Sequence, residues 1–176
     1  MAEIKIRQID APVKRSCFDC GNPRINELVY GAYFNSLTQL AYTYEMLIDD
    51  KPIGYYMIQL KTINQDLPEE VTDYLDDSLE LAIPCVYIHF IAIDKKLQNN
   101  GFGRLLINYI ISSVRDMIKY FPIRGLLLKS VADRVPWYEN LGFKRLTDSK
   151  GFEQLMYLDC LVKSNKEQLE KLEEEV

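Results

Sequence analysis

Residues 85–94 read CVYIHFIAID, an apolar run in which Tyr87, His89 and Asp94 are the only polar side chains. A strand with one wetted face alternates apolar and polar residues, and a strand covered on both faces does not, so this run predicts a central strand. LQNNGFG (97–103) follows, and then FGRLLINYIISSVRDMIKYF (102–121), where Leu105, Leu106, Tyr109, Ile110, Val114, Met117 and Ile118 recur at helical spacing and predict its buried side. RGLLLKSV (124–131) supplies the next apolar strand. Strand, loop, helix and strand in that order form a crossover unit, which requires a sheet carrying a helix on its face.

The flanking chain extends that sheet. IKIRQI (4–9) alternates as a half-buried strand does. After Asp19, Gly21, Asn22 and Pro23, the residues Ile25, Leu28, Val29, Ala32, Tyr33 and Leu37 follow helical spacing that Gly31 interrupts, predicting one bent helix or two short ones. YTYEMLI (42–48) and IGYYMIQLKTI (53–63) read as a hairpin about the turn residues Asp49, Asp50, Lys51 and Pro52. DRVPWYENL (133–141) predicts a short helix, and GFK with FEQLMYLDC (152–160) a last strand pair.

At 176 residues with 48% hydrophobic and 27% charged side chains, the chain can bury a core without disulfides or metals. No apolar run reaches the roughly 20 residues a bilayer-spanning helix needs, and the charged opening MAEIKIRQID is unlike a signal peptide, so a cytoplasmic location is expected. One domain is expected over 1–162, followed by a polar tail over 163–176 that can be helical. Cys17 and Cys20 form a lone C-x-x-C in a chain with one histidine, short of the four ligands of a zinc site, so no metal is expected. Net charge is −5, yet residues 64–84 hold seven acids and no base, so the other residues together carry +2. That segment is either a solvated face or a rim that attracts cations and repels phosphates.

A loop between a central strand and a helix start presents unpaired N–H groups and the positive end of the helix dipole, which suit an anion such as phosphate. Gly101 and Gly103, lacking Cβ, permit a close backbone approach. No Lys-Ser/Thr pair follows them as in a Walker loop, and Leu106 stands where a dinucleotide fingerprint has its third glycine. Gln98, Gly101 and Gly103 spell Q-x-x-G-x-G after IHFIAID, and WYENLGF (137–143) follows about 35 residues later. Here the chain resembles the GNAT superfamily of N-acetyltransferases, whose coenzyme A signature is Q/R-x-x-G-x-G/A and whose second signature is similar to F-Y-x-x-x-G-F. The resemblance spans nearly residues 3–160. It implies an α/β (α+β) fold with a central mixed, mostly antiparallel sheet of about six or seven strands and about four helices on both faces.

The resemblance also implies roles. The backbone of Ile91, Ala92 and Ile93 would bond the pantetheine arm of acetyl-CoA. Gln98, Asn99, Asn100, Gly101, Phe102, Gly103 and Arg104 would hold its pyrophosphate, mainly through N–H groups. Tyr138 would lie near the thioester sulfur and protonate the departing thiolate. Acetyl transfer also needs a neutral amine and hence a base. Several family members resemble one another in a glutamate on the fourth strand, at the position Tyr87 occupies here. His89, two residues on and so on the same strand face, is the candidate base, acting directly or through water, its competing reading being a satisfied core histidine.

FDCGNPRINELV (18–29) resembles the F-x-C/S-G-N-x-x-L/I opening of a bacterial GNAT branch that includes toxins acetylating aminoacyl-tRNA. A tRNA surface should be basic, and the acidity of this chain instead favours a small-molecule or peptide amine as acceptor, with aminoacyl-tRNA as the alternative. A non-catalytic acetyl-CoA-binding module and a pure interaction protein are the readings from other classes. Homodimerisation is left open, and no membrane partner is expected.

Overall fold

The computed structural model describes residues 3–63, 82–146, 152–161 and 165–168. Its elements are β1 (Ile4–Gln8), α1 (Pro23–Tyr30), α2 (Ala32–Leu37), β2 (Tyr42–Ile48), β3 (Lys51–Ile63), β4 (Ile83–Ile93), α3 (Phe102–Met117), β5 (Gly125–Val131), a 3-10 turn (Ala132–Arg134), α4 (Val135–Glu139), β6 (Lys144–Arg145) and β7 (Glu153–Asp159). The strands form one sheet in the order β1-β2-β3-β4-β5-β7-β6. This is the mixed α/β architecture that the resemblance implies, with seven strands. Most of the acidic segment, residues 64–81, and most of the tail lie outside the described residues; within the tail, residues 165–168 are helical.

By contacts the chain divides into two units, residues 1–60 with 87–113 and residues 61–86 with 114–176. In the first, Asp49 and Asp50 adopt φ of 48° and 60°, the left-handed pair that a two-residue hairpin turn requires, and they join β2 to β3. The register slips between Met46, which pairs with Gly54, and Leu47, which pairs with Pro52. Ile53 is the extra residue of this bulge, and its carbonyl accepts from the N–H of Asp94 at 2.9 Å, just beyond β4. Gly54 lets β4 come close, because a Cβ there would lie 2.9 Å from the carbonyl oxygen of Ala92. The core of this unit gathers Ile9, Phe18, Val29, Ala32, Ala41, Tyr55, Met57, Phe90 and Ala92.

The helical stretch after Pro23 breaks at Gly31 into α1 and α2, and the side chain of Asn22 caps α1. Two expectations are corrected. In α3 the buried residues are Leu106, Ile107, Ile110, Ile111 and Val114, whereas Leu105 and Tyr109 are 43% and 41% exposed, because the helix is rotated from the expected side. In β4 one face is fully buried through Val86, Ile88, Phe90 and Ala92, while the opposite face, carrying Tyr87, His89 and Ile91, is more open. In the second unit β7 pairs antiparallel with both β5 and β6.

Candidate active site

The loop after β4 is set by side chains that bond backbone. Asp94 accepts from the N–H of Lys96 at 3.0 Å, and Leu97 N–H donates to the Asp94 carbonyl at 2.8 Å. Asn100 Nδ2 donates to the carbonyls of Leu97 and Gln98 at 3.2 and 3.1 Å. Asn99 and Gly101 take φ of 64° and 84°, so the chain turns twice through the left-handed region before α3 begins. Leu105 N–H donates to the carbonyl of Gly101 at 3.0 Å. The N–H groups of Phe102, Gly103 and Arg104 precede that first helical bond and have no partner inside the helix.

Gly101 and Gly103 differ. Gly101 is needed for its φ; Gly103 has no positive φ and opens the first turn of a helix. A Cβ at either would meet nothing within 4 Å. The fold therefore supplies no internal reason for glycine at 103, and the backbone there is bare toward open space. With exposed Arg104 beside it, this is a cradle that fits an anionic group. Gln98 is placed otherwise than a phosphate-facing side chain would be: its Nε2 donates to the carbonyls of Ile93 at 2.9 Å and Cys20 at 2.8 Å. Its amide shapes the loop.

At the end of β4, Ile91 is half-buried and Ala92 and Ile93 are buried. Asp94 N–H points to β3, so strand alternation turns the backbone of Ile91 and Ile93 toward the other edge. His89 is exposed, and its ring stands edge-on to Tyr87 with centroids 4.7 Å apart. Its Nε2 is hydrogen-bonded to Oε1 of Gln59. An amide oxygen only accepts, so Nε2 donates and the basic lone pair of the neutral ring lies on Nδ1.

In the second unit, Tyr138 sits in α4, whose end is closed by Leu141 and Phe143 N–H groups donating to the Tyr138 carbonyl at 3.0 and 3.1 Å. The Tyr138 ring is edge-on to Trp137 and Phe143, with centroids 4.8 and 5.6 Å away. Arg145 Nε donates to Glu139 at 2.7 Å and ties α4 to β6. Burial pushes the Tyr138 phenol up to about 12, against a smaller opposite effect of the Arg134 charge. The hydroxyl therefore keeps its proton throughout the neutral range.

The four cysteines are free thiols. Burial raises Cys85 to about 12 and Cys160 to about 11, so neither is a ready nucleophile. Among the described residues no group of three His, Cys, Asp or Glu side chains converges as a metal site would need. No described helix is long and apolar enough to cross a membrane.

Residues 78–159 match the profile of the acetyltransferase (GNAT) domain family. No curated protein matches the chain in sequence. Among solved structures, a Tyr-to-Phe mutant of KacT is similar at 23% identity and a TM-score of 0.75, covering 94% of this chain and 98% of its own. AtaT complexed with acetyl-methionyl-tRNAfMet is similar at 20% identity and a TM-score of 0.75, covering 95% and 99%. A mutant AtaT toxin bound to acetyl-CoA and the C-terminus of the antitoxin AtaR is similar at 19% identity and a TM-score of 0.70, covering 90% and 94%.

The two loop glycines should respond oppositely to alanine. Gly103→Ala adds a better helix former in open space and should stabilise the fold by about 0.4–1 kcal/mol. Gly101→Ala forces a side chain into the left-handed region and should destabilise it by about 1 kcal/mol. Chemical denaturation of both variants measures the contrast.

Proposed function

We propose that the chain, whose residues 78–159 match the acetyltransferase (GNAT) domain family, acts as one domain over residues 1–162 and moves the acetyl group of acetyl-CoA directly onto a primary amine in a ternary complex. The observation that carries this reading is the bare backbone at Gly103, opening a helix straight after β4 with no packing reason for a missing Cβ. In it, the N–H groups over residues 98–104 and the Arg104 guanidinium bind pyrophosphate, with Gln98 contributing its backbone and the shape of the loop. The backbone of Ile91, Ala92 and Ile93 lines the pantetheine arm. Bound acetyl-CoA supplies the activated thioester.

Tyr138 delivers the proton to the departing thiolate. A phenol raised to about 12 is a weaker acid than a free thiol, with its pKa of about 8.5, so the transfer is favourable only as sulfur leaves into surroundings dry enough to raise its own pKa too. His89 is the base, through Nδ1 directly or by way of water, and its exposure lets it return the proton to solvent.

For the acceptor, the amino group of an aminoacyl-tRNA ranks first. It is supported by the likeness over 95% of the chain to AtaT complexed with acetyl-methionyl-tRNAfMet, and by the +2 that remains outside residues 64–84. A small-molecule or peptide amine is the second reading, favoured by the net charge of −5.

Thiol release from acetyl-CoA, screened against small amines, peptides and charged tRNAs, tests the whole reading. Release with charged tRNA is expected. Calorimetric binding of acetyl-CoA without release for any acceptor would replace the enzyme by a binding module. Tyr138→Phe, assayed with the accepted amine, should lower kcat by about 10²-fold or more while leaving acetyl-CoA affinity within about twofold, and undiminished turnover removes Tyr138 as the acid. His89→Gln should lower kcat/KM and erase the limb of its pH profile that rises as a general base loses its proton. An unchanged profile removes His89 as the base.

A further inference from the structure

The segment CFDCGN (17–22) has no part in the chemistry above, yet two of its residues, Asp19 and Cys20, bond to Lys95 and Gln98 in the loop after β4. Phe18 is 2% exposed and stands edge-on to Tyr55 at 4.8 Å, which fixes the backbone of the segment in the core. Asp19 Oδ1 accepts from Gly21 N–H and from Asn26 Nδ2, each at 2.8 Å. Asp19 Oδ2 meets Lys95 Nζ at 2.5 Å, and the Asp19 carbonyl accepts from Lys95 N–H at 2.9 Å. Cys20 N–H donates to Asn26 Oδ1 at 3.0 Å, and the Cys20 carbonyl accepts from the same Gln98 Nε2 that holds the Ile93 carbonyl. The side chains of Lys95 and Asp19 are 54% and 44% exposed. An ion pair so open to water contributes little to global stability, so its value is geometric.

We propose that Asp19 and Lys95, together with the Cys20–Gln98 bond, form a brace that positions the coenzyme loop, so that the affinity of residues 98–104 for coenzyme A depends on the segment that leads into α1. This rests on the coenzyme reading given above. The brace joins residues on both sides of one loop entrance: Lys95 and Gln98 flank the exit from β4, and Asn22 and Asn26 belong to the start of α1. Coupling is reciprocal, so coenzyme A, which touches only the glycine loop in this scheme, tightens residues 17–22 in turn. Asp19 and Lys95 are positioning residues and take no part in proton transfer.

Charge makes the test decisive. Asp19→Asn removes a negative charge near an anion site, which by Coulomb attraction alone would strengthen coenzyme A binding. The brace predicts the opposite sign. Calorimetry with coenzyme A should show Asp19→Asn and Lys95→Gln each weakening binding by about five- to tenfold, the double variant losing no more than either single one, and Lys95→Arg retaining wild-type affinity. Thermal unfolding should stay within a few degrees of wild type, and hydrogen exchange at residues 17–22 should slow when coenzyme A binds the wild type. Unchanged or tighter binding by Asp19→Asn, or additive losses in the double variant, overturns the brace while leaving the coenzyme site in place. A wild type that takes up no coenzyme A overturns the function reading, and the brace with it.

Discussion

The amide of Gln98 bridges two carbonyls that belong to distant parts of the sequence, Ile93 at the end of β4 and Cys20 before α1. A strand that stops mid-sheet leaves a carbonyl in need of a donor, and a loop that stays open to a ligand has few donors to lend. Supplying that donor from a side chain resolves the conflict, since no backbone N–H of the loop is then needed for the Ile93 carbonyl. The left-handed turns at Asn99 and Gly101 bring the chain round into the first turn of α3, whose opening N–H groups have no partner inside the helix. Without the bridge the Ile93 carbonyl would need a donor from elsewhere in the loop or from water.

Local pattern carried the order of elements well. The hairpin at Asp49 and Asp50, the break at Gly31 and the apolar β4 all follow from residues a few positions apart, which is the range over which turn chemistry and periodicity act. The rotational setting of α3 was not legible, because its stripe is wide enough to start at Leu105 or Leu106, and only the packing surface decides; Ile107 and Ile111 are buried and Leu105 and Tyr109 are not. The second face of β4 was misread for the same reason, since Tyr87 and Ile91 are apolar enough to sit under cover or beside it.

The candidate site was legible where a motif fixes the backbone and illegible where a side chain reaches across the fold. Gly103 could be singled out from spacing, and a Cβ there would meet nothing within 4 Å. The partner of Gln98 could not, because Cys20 lies 78 residues away and a carbonyl leaves no trace in composition. Asp19 read as a turn residue, which it is through its bond to Gly21, but its second oxygen goes to Lys95.

The two proposed proton carriers occupy different environments, His89 exposed and Tyr138 half-buried, and the proposed chemistry asks for a difference of that kind. A base that collects a proton in every cycle must also release it, which water does quickly; exposed His89, held on one side by Gln59, suits that exchange. An acid that must not ionise early benefits from the reverse. Trp137 and Phe143 stand edge-on to Tyr138, and the burial that raises its pKa to about 12 keeps the phenol protonated throughout the neutral range. Exchanging the two environments would serve the proposed scheme less well: a buried imidazole would lose its path to solvent, and an exposed phenol, though still protonated at neutral pH, would compete with water for the thiolate. The sequence gives each residue its chemistry, and the packing around it decides which direction the proton can travel.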